Sequence, residues 1–114
     1  MTNGTTLPHE RLIAYQVAHE LLVLVRAAGI SNPRLRDQAL DAAGSVCLNI
    51  AEATGRSGNA DQKRVYAIAR GEVCEVGAAL DIAAAIGACD GQAAAAALAA
   101  ARRVHALLCG LIRR

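Results

Sequence analysis

The chain has 114 residues and a mass of 11.7 kDa, which is enough for one domain with a hydrophobic core. Its net charge of +2 is too small to indicate nucleic-acid binding by itself. No stretch reaches the apolar length of a membrane span, and the first ten residues lack the features of a signal peptide. We therefore expect a soluble, cytoplasmic protein.

The hydrophobic content is 54%, much of it alanine, with no Trp and no Phe. Alanine is the best helix former, so the composition favours helices that approach one another closely. Small side chains bury little area each, and a core made of them stabilises a chain of this size only marginally. Assembly with further copies of the chain would make up the difference.

We predict four helices separated by short turns, over residues 8–28, 33–54, 60–88 and 91–112. The first ends at Gly29, and Asn32 with Pro33 forms the N-cap and first position of the second. Asn59 opens a capping box for the third helix, and Asp90 caps the fourth. Because short loops join long helices, we expect an all-α, antiparallel up-down-up-down four-helix bundle.

The first predicted helix is apolar on two sides. Its core stripe consists of Ile13, Val17, Leu21, Leu24 and Ala28. A second stripe on the opposite side consists of Leu12, Tyr15, His19, Leu22, Val23 and Arg26. A helix that is apolar nearly all round is usually buried on two sides, so the second stripe predicts a subunit interface and a ring-like homo-oligomer.

The second and third predicted helices each combine a core stripe with a polar line. The core stripes are Leu35, Ala39, Ala43, Val46 and Ile50, and Tyr66, Ala69, Val73, Val76 and Leu80. The polar lines are Gln38, Asp41, Ser45, Asn49, Glu52 and Arg56, and Asp61, Arg64, Glu72 and Glu75. Such lines are usually solvated. The alternative is a network between subunits, in which Glu52 and Glu75 accept from arginines such as Arg56, Arg64 or Arg70.

The residue types that carry most catalysis and metal binding are present without a usable pattern. The four cysteines are Cys47, Cys74, Cys89 and Cys109, and the three histidines are His9, His19 and His105. The cysteines form no CxxC pair, so we interpret them as small buried apolar residues. The histidines match neither HExxH nor the Glu-x-x-His pair of di-iron bundles. We therefore expect no metal site, no cofactor and no enzymatic activity.

The antiparallel arrangement places half of the basic residues at one pole. They are Arg11, Arg56, Lys63, Arg64, Arg113 and Arg114, and Arg102 and Arg103 extend the positive charge along the last helix. In a ring these poles would align and favour phosphate backbones. The alternative is that the arginines only solvate helix ends. No aromatic residue interleaves the patch, so we expect salt-sensitive binding without base stacking.

Two runs in the second and third helices carry a family resemblance. DQALDAAGSVCLNIAEATGR (37–56) and VYAIARGEVCEVGAALDIA (65–83), together with AYQVAHEL (14–21), resemble the bacterial four helix bundle protein family. This family includes the ribosomal RNA intervening-sequence proteins and the accessory variability determinants of diversity-generating retroelements. Ala53 stands where the family usually has glycine. Glu72 stands where serine is expected, which adds a carboxylate beside Glu75.

The resemblance implies a homopentameric barrel of four-helix protomers with no known enzymatic activity. For the retroelement members it implies an accessory protein that binds nucleic acid and a reverse transcriptase. We therefore predict a non-enzymatic, pentameric binding module whose basic pole engages RNA or DNA, with a reverse transcriptase as a further candidate partner. The alternative is a protein–protein scaffold or regulator that binds no nucleic acid.

These predictions name two sets of site residues. The nucleic-acid-binding candidates are Arg11, Arg56, Lys63, Arg64, Arg102, Arg103, Arg113 and Arg114. The interface candidates are Leu12, Tyr15, His19, Leu22, Asn49, Glu52, Arg70 and Glu75.

Overall fold

The computed structural model describes residues 5–114 and contains one short 3₁₀ turn and four α-helices. The 3₁₀ turn is Pro8–Arg11, and the helices are α1 (Ile13–Ala27), α2 (Pro33–Gly55), α3 (Asn59–Ala85) and α4 (Gly91–Arg113). Residues 5–114 contain no strand, so the all-α prediction is confirmed. Each helix packs against two others, since α1 and α3 both contact α2 and α4.

Side-chain caps begin two of the helices as predicted. The Asn32 side chain accepts a hydrogen bond from the Leu35 backbone N–H at 3.0 Å, and Asp90 accepts from the Ala93 N–H at 3.0 Å. The predicted capping box at Asn59 is wrong. The N-cap of α3 is Gly58, which has no side chain to accept a bond, and Asn59 is already the first helical residue.

The first predicted helix is interrupted at its start. Leu12 has an extended backbone (φ −82°, ψ 122°) between the 3₁₀ turn and α1, and its N–H bonds to the carbonyl of His9 at 3.0 Å. The inward face of α1 also differs from the predicted one. Ile13, predicted as core, is 55% exposed, whereas its neighbour Ala14 is buried. Val17 and Leu21 are buried as predicted.

A left-handed glycine ends α3 three residues earlier than predicted. Gly87 has φ 74°, a conformation that glycine adopts without strain. The Ala88 N–H donates to the Ala83 carbonyl at 2.8 Å, and the Gly87 N–H donates to the Ala84 carbonyl at 3.2 Å. These two bonds are a Schellman motif. The Ala88 carbonyl then accepts from the Ser31 N–H at 2.8 Å, which ties the α3–α4 turn to the α1–α2 turn.

The core is made of alanine and branched aliphatic side chains from all four helices. The largest side chains that are fully buried are Leu21, Val25, Val46, Ile50, Val76, Leu80, Val104 and Leu108. The core stripes predicted for α2 and α3 are buried, except that Leu35 is half-buried. Tyr66 is 5% exposed, and its hydroxyl hydrogen-bonds the Thr54 hydroxyl at 2.8 Å, so its one polar atom has a partner.

The last helix, α4, is more apolar than the sequence analysis allowed. α4 has 23 residues and a mean hydropathy of 1.5 over its most apolar window, which is enough to cross a membrane by length and composition alone. The expectation that no stretch reaches this length was therefore wrong, because the alanine run raises the hydropathy. Val104 and Leu108 of this helix are fully buried in the bundle. A single such helix is weak evidence for a membrane, since core helices of soluble bundles share these properties.

Candidate nucleic-acid interface

The polar lines of α2 and α3 meet each other within one chain, and we call this contact the polar seam. The Asn49 amide donates to a Glu72 carboxylate oxygen at 2.7 Å, and the Gln38 amide donates to Glu75 at 3.5 Å. Glu72, which departs from the serine expected in the family, is thus the partner of Asn49. Glu75 and Glu52 were the acceptors considered for a network between subunits. Within the chain, Glu75 accepts from Gln38 and Glu52 accepts from Arg56.

Two of the candidate phosphate-binding arginines are already paired with carboxylates at the α2–α3 turn. Arg56 donates to Glu52 at 2.5 Å and to Asp61 at 2.6 Å, and Arg64 donates to the other Asp61 oxygen at 3.0 Å. The hydrogen bonds that Arg56 donates to Glu52 and Asp61 raise the pKa of its guanidinium. The guanidinium groups of Arg56 and Arg64 hold the pKa of Asp61 below its usual value. We call these four residues the arginine–carboxylate cluster.

The other basic side chains of the predicted pole gather around the end of α4. Arg11 and Arg114 line one groove of about 440 Å³ between α1 and α4. Lys63 and Arg114 line a second groove of about 310 Å³, and the Lys63 ammonium donates to the Arg114 backbone carbonyl. We call Arg11, Lys63, Arg113 and Arg114 the basic end. Within residues 5–114 no carboxylate forms an ion pair with any of these four side chains.

The last two nucleic-acid candidates lie away from the basic end. Arg102 and Arg103 are exposed on α4. Arg103 precedes Arg114 by eleven positions, which corresponds to roughly 16 Å along a helix. Arg102 lines a small apolar groove between α3 and α4 that does not include the basic end. The structure therefore divides the eight candidates into three groups. Arg56 and Arg64 are paired with carboxylates, four others form the basic end, and Arg102 and Arg103 lie along α4.

Three ring side chains contact one another around the start of α1, and we call them the ring cluster. The rings of His9 and Tyr15 meet edge to face, with centroids 4.5 Å apart and planes 66° apart. The rings of Tyr15 and His19 are 6.4 Å apart and tilted by 40°. His9 belongs to the same 3₁₀ turn as Arg11. None of these three rings lines the two grooves of the basic end, whereas Tyr66 lines the groove of Lys63 and Arg114.

The predicted interface residues have a mixed placement in the protomer. Leu12, Tyr15 and Leu22 pack partly against the core of their own chain. Of the polar candidates, Glu52 is paired with Arg56 in the cluster above, and the Arg70 guanidinium lies 3.7 Å from the Cys109 sulfur. Six large apolar side chains of the described residues were not predicted as contact residues and are exposed, namely Leu7, Ile13, Leu48, Ile68, Ile82 and Ile86. Leu48, at 73%, is the most exposed of them.

The cysteines differ from the prediction that all are buried. Cys47 is buried, and burial raises the pKa of its thiol. Cys74 is exposed, since it follows the buried Val73 by 100° around α3, and Cys89 and Cys109 are half-buried. Within residues 5–114 no three side chains of the metal-binding types converge.

Comparison with models of protein families finds one family that matches the chain. The model of the family described as 23S rRNA-intervening sequence protein matches residues 10–110, which is nearly the whole chain. No curated protein matches the chain. The resemblance carried by the residues of α1, α2 and α3 is thereby confirmed.

Proposed function

The chain belongs to the 23S rRNA-intervening sequence protein family, and we propose from this premise that it is a non-enzymatic, homo-oligomeric module whose basic end binds nucleic acid. The observation that carries the proposal is the contrast in charge pairing. Arg56 and Arg64 are already paired with carboxylates, whereas the four side chains of the basic end have no such partner among residues 5–114. These cations can contact phosphates without first losing an ion pair.

We propose an up-down-up-down protomer as the unit of assembly. Two contacts of the polar seam support it, because Gln38 pairs with the later Glu75 while Asn49 pairs with the earlier Glu72. The family resemblance implies five copies in a ring. The exposed side chains Leu48, Ile68 and Ile82 support self-association, because large apolar residues on a surface often mark contact sites. In a ring the basic ends would align and their fields would add.

The test is binding of a fluorescent RNA oligonucleotide over a range of salt concentrations. We expect binding at low salt and a linear fall of log affinity with log salt. The variant Arg113→Glu/Arg114→Glu should bind about tenfold or more weakly and show a shallower salt dependence. The matched control is Arg26→Glu/Arg34→Glu, which makes the same charge change at exposed residues that form no ion pair within residues 5–114.

Equal losses in the two double variants would show that only net charge matters, and the basic end would then not be the site. Retention that is independent of salt would contradict phosphate binding altogether. Arg56 and Arg64 are unsuitable for this test, because their reversal would place like charges beside Glu52 and Asp61. Light scattering on the same samples measures the number of protomers, for which we expect five.

The exposed apolar side chains also favour a second candidate, a protein–protein scaffold that binds no nucleic acid. Leu48 on α2 and Ile68 and Ile82 on α3 would then supply the partner contact. A scaffold would assemble normally and fail to retain RNA at any salt concentration. The reverse transcriptase partner remains a prediction of the retroelement branch of the resemblance, since the family match names the ribosomal branch.

A further inference from the structure

We propose that the ring cluster of His9, Tyr15 and His19 is a stacking site for an unpaired nucleic-acid base. This proposal rests on the proposed function and specifies its ligand, which is a single-stranded or looped segment and not a continuous duplex. Bases in a duplex are already stacked on their neighbours. Unpaired bases can stack on aromatic or imidazole rings instead.

The spacing of Tyr15 and His19 suits one planar base. The two residues are four apart on α1, so their side chains are neighbours on one helix face. Their ring centroids are 6.4 Å apart, close to twice the spacing of about 3.4 Å between stacked bases. His19 is exposed, so its ring can rotate to remove the tilt of 40° between the two planes.

His9 holds the Tyr15 ring in place for this contact. Its ring meets that of Tyr15 edge to face at 4.5 Å, one of the preferred geometries for aromatic pairs. Tyr15 is half-buried against the core, which restricts it further. Because the ring is already ordered, little side-chain freedom is lost when a base stacks on it.

The ring cluster is also the part of the described chain best suited to stacking. Tyr66, the other tyrosine, is 5% exposed and hydrogen-bonded to Thr54. His105 is half-buried, and its ring nitrogen lies 3.7 Å from the Cys109 sulfur. Tyr66 lines the groove of Lys63 and Arg114, but its ring is not open to solvent as that of His19 is. Within the ring cluster, His9 shares its 3₁₀ turn with Arg11 of the basic end. For a nucleotide stacked on Tyr15, the basic side chain that the structure links to the ring cluster is Arg11, in the same turn as His9.

The test compares Tyr15→Leu with Tyr15→Phe against two probes, a single-stranded RNA oligonucleotide and the same sequence paired in a duplex. Tyr15→Leu keeps apolar bulk but removes the ring, and we expect about tenfold weaker binding of the single strand with little change for the duplex. Tyr15→Phe keeps the ring and should bind both probes like the unaltered protein. His19→Leu changes an exposed residue and should also weaken single-strand binding selectively.

Three results would overturn the stacking site. One is unchanged single-strand binding by Tyr15→Leu and His19→Leu, and another is an equal loss for both probes. The third is a change in protomer number by light scattering, which would place Tyr15 in the subunit interface that the sequence predicts. If Arg113→Glu/Arg114→Glu weakens binding while the ring variants do not, the stacking site fails and the proposed function stands. If the unaltered protein binds neither probe, the proposed function itself fails.

A photochemical measurement checks the site without changing the protein. A single strand that carries 4-thiouridine should crosslink within residues 9–19 when irradiated on the unaltered chain. Crosslinks confined to α4 would contradict the proposal, because they would show that the strand passes along the arginines without reaching the rings.

Discussion

The α2–α3 turn and the end of α4 use the same residue types for different purposes. At the turn, Arg56 has Glu52 one helical turn before it and Asp61 just after the loop, and it bonds both carboxylates. At the end of α4, Arg113 and Arg114 form no ion pair with an Asp or Glu side chain among residues 5–114. The comparison teaches that a count of arginines does not identify a phosphate-binding surface. We propose that an arginine must also lack an acidic partner to be available to a phosphate.

The α2–α3 region consists of a polar layer at its surface and an apolar layer in the core. The polar seam and the arginine–carboxylate cluster are exposed or half-exposed, and such pairs contribute little to the stability of a fold. Beneath the polar seam lie fully buried aliphatic side chains such as Val46 and Leu80. We therefore expect the apolar layer to supply the stability of this region and the polar layer to order the turn.

The largest effect should come from removing apolar bulk from the buried layer of the α2–α3 region. Leu80→Ala should lower the free energy of unfolding by about 2–5 kcal/mol, because Leu80 is fully buried and the substitution leaves a cavity. The matched control is Leu48→Ala, a change of the same chemistry at a side chain that is 73% exposed. It should change stability by less than about 0.5 kcal/mol. Urea unfolding followed by circular dichroism measures both.

A large, concentration-dependent loss in Leu48→Ala would be informative, because it would show that Leu48 is covered by another copy of the chain. A small loss in Leu80→Ala would mean that the polar layer holds the region, and the comparison would fail.

The polar seam provides the next largest effect. Glu72→Ser restores the residue expected in the family and removes the acceptor of the bond of 2.7 Å from Asn49. We expect a loss of about 1 kcal/mol, since the bond involves a charged group but is only partly buried. A double-mutant cycle with Asn49→Ala isolates the pair. A coupling energy near zero would show that the two side chains do not depend on each other.

A smaller effect on local stability should distinguish Arg56, which is paired with carboxylates, from Arg113, which is not. Arg56→Gln should loosen the α2–α3 turn, because it removes the cation between Glu52 and Asp61. Arg113→Gln should leave the stability unchanged and weaken only RNA binding. Amide hydrogen exchange in residues 56–62 measures the first effect, and the RNA titration measures the second. Faster exchange in both variants would contradict the division between the two regions.

Most of the helical framework could be predicted because its signals are local. Apolar residues at helical spacing predicted the buried faces of α2 and α3, and Asn32 and Asp90 marked two helix starts. The break at Leu12 could not be predicted, since no glycine or proline marks it. The ring cluster depends on that break, because residues 9 and 15 would point about 120° apart on a continuous helix.

The candidate site was predicted less well than the fold because charge pairing depends on tertiary geometry. The sequence placed Arg56 and Arg64 among the phosphate-binding residues with Asp61 nearby, but whether these side chains meet depends on the path of the loop between α2 and α3. The structure turns Arg56 toward Asp61 and leaves Arg113 exposed. Periodicity identifies which residues share a helix face, and it does not specify contacts that cross a loop.

The smallest predicted effect is the acid dependence of the arginine–carboxylate cluster. The pKa of Asp61 is lowered from 3.8 by hydrogen bonds from Arg56 and Arg64, so the folded protein favours the ionised form. This contribution is complete above about pH 5, where Asp61 is ionised in both states, and it is lost as the pH falls through the folded pKa. The unfolding temperatures of the unaltered protein and Asp61→Asn should therefore differ by a constant amount between about pH 7 and 5, and converge below about pH 4. Asp81→Asn is the control, because Asp81 is exposed and forms no ion pair within residues 5–114. A difference for Asp61→Asn that grows on acidification would mean that the cluster does not stabilise the carboxylate, and the contrast between paired and unpaired arginines would lose its physical basis.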